Sequence, residues 1–447
     1  MAITAPLPVL TIDQQEAPTV NRTVGVSATL AANEALAERR LRGERVLPLA
    51  FGEAGVPVAP VLREALATAS YQNAYGPVAG SAELRAAAAG YWARRGLPTG
   101  PDDVVCGPGS KALLFGLLLG MYGADVAIPR PSWVSYAAQA SLAGVRPVYV
   151  PIAGGAGGAG GAGGVPDPDL LSAAVTTARR AGRRIGAVVV TLPDNPTGTL
   201  AGPDEVRALC AVAERHNLLI ISDEIYRDLT HDGAPAFLSP AEVAPDRTVV
   251  TAGLSKNLAL GGWRLGVARL PCAARRLTGL RDGLVGTGSE IWSAPAAPVQ
   301  AAAAVAFAEP PEVTERVARS RHLHGAVARA VASVLGSAGV AVPPPAGAFY
   351  LYPDFGPHGA ALRRRFGVAT SADLAALLLR THGIGVLPGS EFGDPATALR
   401  LRVATSRLYG ESAWQQEEAL AADDPAALPW IAAALDWLRQ ALTALVG

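Results

Sequence analysis

Short runs of β-branched and apolar residues alternate, through the middle of the chain, with longer stretches rich in Ala, Leu, Arg and Glu. The runs at 125–128, 146–152, 185–191, 218–222 and 248–251 predict strands, and the helical spacing with a basic end at 169–181 predicts one of the helices between them. Strands alternating with helices imply an α/β fold with a mostly parallel central sheet flanked by helices on both faces. In such sheets ligands bind beyond the carboxyl ends of the strands. The polar residues that directly follow each apolar run are therefore where chemistry is to be sought.

From about residue 309 the pattern changes to a long Ala-rich helix at 313–335, an aromatic strand at 349–352, a helix at 371–381 and a strand at 400–404. This predicts a smaller α+β unit. Pro429 opens a last helix on which Trp430, Ile431, Leu435, Leu438 and Leu442 form one apolar face, suited to a core or a dimer contact. The most apolar run, 112–122, predicts a buried helix and falls short of the roughly 20 residues needed to span a bilayer. The run G-G-A-G-G-A-G-G-A-G-G at 154–164 has no side chains to pack, which predicts a flexible surface loop.

Composition then excludes several partners. The 447 residues carry 38 Lys+Arg against 38 Asp+Glu, so the chain lacks the excess positive charge that holds nucleic acid or anionic lipid. Cys106, Cys210 and Cys272 are far apart and form no C-x-x-C pair, which argues against a disulfide framework or a thiolate zinc site and suits a reducing cytoplasm. Residues 1–21 lack the basic start and apolar core of a signal peptide and read as a mobile arm. His322 and His324, two apart on one helix, face different sides, cannot pair on a metal, and read as solvated surface. No metal site is expected.

Chemistry concentrates after the apolar runs. Lys256, in G-L-S-K-N, follows the run at 248–251; a lysine there is costly unless neutralised, and imine formation with an aldehyde neutralises it. Eight positions on, Arg264 follows Gly261 and Gly262 and offers a planar fork suited to phosphate. In C-G-P-G-S-K, Gly109, Ser110 and Lys111 open an apolar helix whose free N–H groups make an anion site. Asp223 and Tyr226, in S-D-E-I-Y, follow the run at 218–222, where Asp223 could fix a protonated ring nitrogen or merely cap a helix. Asn195, in D-N-P-T-G, could likewise be only a turn former.

Together these motifs, in this order from about residue 22 to 409, resemble the class I/II aminotransferases, which have the aspartate aminotransferase fold and use pyridoxal 5'-phosphate (PLP). The resemblance implies that Lys256 forms the Schiff base, that Asp223 pairs with the pyridine nitrogen, and that Asn195 and Tyr226 hold the 3-oxygen. It places Gly109, Ser110, Lys111, Ser255 and Arg264 around the phosphate and stacks Trp133 on the ring. It implies that Tyr75 reaches the phosphate of a neighbouring subunit, hence a homodimer with shared sites. It assigns Arg402 to the substrate α-carboxylate, with Arg400 as competitor because both share one side of a strand. Gly52, beside Phe51, faces substrate, and the segments 345–352 and 385–393 close over it.

One departure is Gly253, where many relatives have a serine on the phosphate. The resemblance further implies a flexible arm at 1–21, a large PLP-binding domain at 61–309, and a small domain from 22–60 and 310–447. The expected activity moves an amino group between an L-amino acid and a 2-oxo acid. Decarboxylase, lyase and oxygen-dependent oxidase or hydroxylase chemistry are alternatives, because fold alone does not fix the bond broken. A PLP-binding regulator would need a DNA-binding module that this chain does not display. For the substrate side chain, Trp133, Phe51, Tyr136, Tyr350 and Trp292 suit an apolar group, and Arg400 or Arg281 an acidic one.

Overall fold

The computed structural model describes residues 25, 27–153, 163–271 and 279–447; the expected arm, most of the glycine run and Cys272 lie outside the described residues. The central sheet has seven strands: β1 (Val104–Gly107), β2 (Asp125–Arg130), β3 (Pro147–Pro151), β4 (Ile185–Thr191), β5 (Leu219–Asp223), β6 (Thr248–Gly253) and β7 (Gly266–Arg269). Their order is β1-β7-β6-β5-β4-β2-β3. Neighbours from β3 to β6 run parallel, and β7 runs antiparallel to both β6 and β1.

Burial explains why these runs are strands. Every residue of β4 is buried, as a strand covered on both faces requires. Successive side chains go to opposite sides. Val188 and Val190 pack with Leu171, Val175 and Leu209 from the helices Pro168–Arg180 and Pro203–His216, while Ala187 and Val189 pack with Leu113, Leu117 and Tyr136 from the helices Ser110–Leu119 and Val134–Leu142. The edge strand β3 is only partly buried and has a proline at each end, which blunts it against further pairing.

A separate apolar cluster joins the two ends of the chain. Leu47, Leu49 and Val56 pack with residues from Leu323 to Leu445, including Ile431, Leu435, Leu438 and Leu442 of the last helix, Pro429–Val446. That helix therefore serves a core within its own chain. Nearby, Leu47–Pro48 pairs in parallel with Ile384–Gly385, and Leu401–Ala404 pairs antiparallel with both Leu387–Pro388 and Tyr350–Leu351.

Three expectations need correction. His324 is fully buried: its ring lies 5.0 Å from that of Phe349, its Nδ1 shares a 2.5 Å hydrogen bond with the Tyr409 hydroxyl, and burial pushes it down to about 3. Residues 322 and 324 do face different sides, but only the His322 side is exposed. Gly163 and Gly164, the end of the glycine run, are buried rather than on the surface. The Gly163 N–H donates to Thr199 Oγ1 and the Thr191 N–H to the Gly164 carbonyl, so this end is pinned under the N-P-T-G turn. The apolar run at 112–122 leaves its helix at Leu119, and Tyr122 is exposed.

Candidate active site

A cavity of about 400 Å³ lies at the carboxyl ends of β4, β5 and β6, and Thr191, Asn195, Asp223, Tyr226, Ser255 and Lys256 all line it. The parallel arrangement of these strands brings their following residues to one edge, as such sheets dictate. Arg264 reaches the same edge because β7 is antiparallel to β6: the chain leaves β6 at Gly253 and re-enters the sheet at Gly266, directly opposite.

Asp223 is buried at the end of β5. Its Oδ2 accepts from the Tyr136 hydroxyl at 2.8 Å and its Oδ1 from Thr251 Oγ1 at 3.1 Å. Burial pushes its carboxyl up to about 6, against the lowering effect of those two bonds. The Tyr136 hydroxyl also shares a 2.8 Å bond with Thr191 Oγ1. Tyr136 therefore does more than line an apolar substrate wall: it holds the Asp223 carboxylate. Its position three residues after Trp133, on one helical face, was the signal available; the two rings meet edge to face at 5.2 Å.

The Lys256 Nζ donates to the Gly52 carbonyl at 2.5 Å. A Cβ on Gly52 would fall 2.1 Å from the Tyr350 hydroxyl oxygen, so glycine lets this segment approach. The Tyr350 and Tyr226 hydroxyls share a 2.9 Å bond, and Asn195 Nδ2 donates to Tyr226 at 3.5 Å.

Arg264, in a left-handed backbone conformation, donates to the carbonyls of Gly261 and Pro108. Gly109 has φ +89°, and a Cβ there would fall 2.4 Å from Arg264 Nη2. Glycine is thus required at the mouth of the helix Ser110–Leu119, where Ser110 lines the cavity. The Lys111 ammonium lies 5.0 Å from the centre of the Trp133 ring; burial, then the charges of Arg264 and Lys256, pull it below the usual lysine value.

Arg402 is 1% exposed, and its guanidinium donates to the Ala50 carbonyl at 2.5 Å and to Asn195 Oδ1 at 3.3 Å. Its Nε is buried without a partner. Arg400, by contrast, is spent on Asp354 and Asp394 at 3.0 and 2.9 Å. Arg281 donates to the Asp102 carbonyl and Trp292 packs beside Leu284, both away from the cavity. Phe51, Trp133, Tyr136 and Tyr350 do line it, as do Ser27, Thr29 and Leu30, which sequence reasoning missed. Tyr75 is 91% exposed and does not join the site of its own chain.

Residues 44–408 match the family described as Aminotransferase class I and II. The chain belongs to that family. It is 33% identical over 390 residues to the aspartate aminotransferase of Geobacillus stearothermophilus, covering 85% of this chain and 92% of that one. It is 32% identical over 374 residues to a probable aspartate/prephenate aminotransferase of Thermus aquaticus, covering 82% and 89%. The solved aspartate aminotransferase from Thermus thermophilus with maleate superposes with a TM-score of 0.76 at 26% identity, covering 93% of this chain and 97% of that one.

The chain is thus a PLP-dependent aminotransferase with the fold of its relatives, and aminotransfer prevails over the other PLP chemistries weighed from sequence. The residues present fit the cofactor. Lys111, Lys256, Arg264 and Arg402 line one cavity and, among the described residues, none of them is ion-paired; Arg402 is buried and Lys111 and Arg264 are exposed at its mouth, so the cavity carries a positive charge that attracts anions. The buried acid Asp223 gives the cavity a partner for a protonated ring nitrogen. Among the described residues no His, Cys, Asp or Glu cluster suits a metal, and no helix is long and apolar enough to cross a membrane.

Proposed function

We propose that this aminotransferase acts on a dicarboxylic L-amino acid, with Arg402 on the α-carboxylate and Lys111 facing the side-chain carboxylate. The observation behind it is the set of cations in the cavity without ion-pair partners. Arg264 and the Ser110 helix end suit the phosphate, Lys256 is consumed in bonding the aldehyde, and Arg402 suits one carboxylate. Lys111 is then left for a second anion. This departs from placing Lys111 on the phosphate. Relatives named for aspartate and prephenate, both dicarboxylic, support the reading.

PLP, when bound, supplies an electron sink for the negative charge that develops at the substrate α-carbon. Asp223 would hold a proton on the ring nitrogen, which would keep that sink effective, and Tyr136 and Thr251 hold Asp223 in place. Asn195 and Tyr226 would donate to the ring's 3-oxygen, and Gly109, Ser110, Ser255 and Arg264 would hold the phosphate. Trp133, which lines the cavity, would cover one ring face and exclude water. With its amine free, Lys256 would be the general base that takes the proton from the substrate α-carbon and gives it back. Arg402 fixes which α-bond faces Lys256.

Tyr75, exposed in one chain, serves the site of a second copy in a homodimer. The buried free thiols of Cys106 and Cys210 suit a reducing cytoplasm.

The test is the first half-reaction with aspartate, glutamate, phenylalanine and alanine on the parent and on Lys111→Gln. The variant should lose about 10- to 100-fold in kcat/KM for the dicarboxylic substrates, the range of one charged contact, and change little for alanine. Equal losses for all four, with weaker cofactor retention, would return Lys111 to the phosphate and sink this reading.

A further inference from the structure

Behind the Lys256 turn, on the side away from the cavity just described, lies a second group of charged residues. Asn257, the residue after Lys256, is 7% exposed, and its Nδ2 donates to Asp228 Oδ2 at 2.8 Å. Asp228 sits two residues after Tyr226, in the short turn Arg227–Leu229. The same carboxylate accepts from the Tyr91 hydroxyl at 3.0 and 3.1 Å and from Arg95 at 2.9 and 3.2 Å. Arg95 also donates to both oxygens of Glu309, at 2.5 and 2.9 Å, and lies 3.6 Å over the centre of the Tyr91 ring. Tyr91 and Arg95 come from the helix Ala82–Ala93 and its end.

This topology has one consequence for the reaction centre. Asp228 is tied to the neighbour of Lys256 through a hydrogen bond and to Tyr226 through the backbone. It therefore bridges two segments whose other sides face the cofactor cavity, where the Lys256 Nζ stands 6.0 Å from the Tyr226 ring centre. On the cavity side the Lys256 Nζ bonds to the Gly52 carbonyl, a bond that is lost whenever the amine reacts. Asn257 to Asp228 is the side-chain bond that holds the turn from behind.

We propose that Asp228 is a positioning residue for Lys256, acting through Asn257, and that the Tyr91, Arg95 and Glu309 contacts keep its carboxylate fixed. Small displacements of a reacting group cost heavily, about 100-fold for 1 Å. Loosening the turn therefore lowers kcat and leaves the binding of substrate by Arg402 in place. The proposal rests on Lys256 as the imine-forming residue, which is tested separately by borohydride labelling of the parent enzyme.

The experiment uses the holoenzyme with Asn257→Asp, Asp228→Asn and the two combined. Asn257→Asp sets two carboxylates against each other. Combined with Asp228→Asn, the amide and carboxylate exchange sides and the hydrogen bond can form again, with the remaining amide oxygen accepting from Arg95. The expected result is a kcat reduced by about 10- to 100-fold in Asn257→Asp, a KM for amino acid changed less than about threefold, and recovery of most of the kcat in the double variant. The pH midpoint of the cofactor's visible band should move in Asn257→Asp and return in the double variant. Thermal unfolding of the cofactor-free proteins separates positioning from folding. If kcat and the band midpoint stay at parental values, or if the double variant is no better than the two losses combined, the proposal is overturned. Loss of stability without loss of kcat overturns it as well.

Discussion

The two sides of the Lys256 turn carry similar charges and treat them in opposite ways. On the cavity side Lys111, Lys256, Arg264 and Arg402 have no carboxylate partner among the described residues. On the far side Arg95 is bound to both Asp228 and Glu309, and Arg227 to Glu224. Of the four cavity cations, Arg402 alone is fully buried, where a charge without a partner is costly; Lys256 is half-buried, and Lys111 and Arg264 are exposed at the cavity mouth. The paired side belongs to the protein's own architecture. Four cations gathered around one cavity with no carboxylate opposite them make that cavity a place that attracts anions.

Substitutions on the two sides should separate activity from stability. The largest effect is expected for Lys256→Ala, which removes the nucleophile and the proton carrier together and should lower kcat by about 10⁴-fold or more while PLP is still bound. Single-turnover kinetics with a cofactor spectrum checks this; a variant with parental turnover would remove Lys256 from the mechanism. Next, Arg402→Ala should lower kcat/KM by about 10³-fold, and Arg402→Lys should recover little, because an ammonium cannot make two parallel bonds to a carboxylate. The same change at Arg400, whose partners are Asp354 and Asp394, should act mainly on stability.

A third prediction uses pH. Asp223 is pushed up to about 6, against an ordinary value of 3.8, by burial first. The folded protein therefore keeps this proton to higher pH than the unfolded chain does. Stability of the cofactor-free protein should fall as pH rises from about 4 through 6 and stay low above. Asp223→Asn removes the cost, so the cofactor-free variant should be more stable than the parent by about 3 kcal/mol at pH 8 and match it near pH 4. Thermal melts across pH measure it, and parallel curves would refute it. The smallest effect belongs to the far side. Glu309→Gln, which leaves Arg95 with one partner fewer, should cost about 2 kcal/mol of stability in urea unfolding.

Much of this arrangement was legible beforehand. The strands β2 and β4 to β6 are continuous apolar runs because both faces are covered, and the ends of β4 to β6 place Asn195, Asp223 and Lys256 together by topology alone. Other parts depend on contacts that no local pattern encodes. Strand alternation puts Arg400 and Arg402 on one side, and only the neutralisation of Arg400 by Asp354 and Asp394 distinguishes them. Tyr136 bonds to Asp223 across 87 positions, and Ser27 to Leu30 reach the cavity from the start of the described chain. The burial of His324 depends on Phe349 and Tyr409, which are distant in sequence.

The antiparallel turn between β6 and β7 also bears on the order in which the site can be assembled. Lys256 and Arg264 are separated by a short loop, whereas Arg402 meets Asn195 across 207 positions. By loop-closure entropy the longer closure costs about 3 kcal/mol more. The pair Lys256 and Arg264 is therefore a local structure, whereas Arg264 meets the Pro108 to Ser110 turn across 156 positions and both that cradle and the substrate clamp are global. A refolding or partly opened chain should bring Lys256 and Arg264 together before it can hold a phosphate against Gly109 and Ser110 or a carboxylate against Arg402.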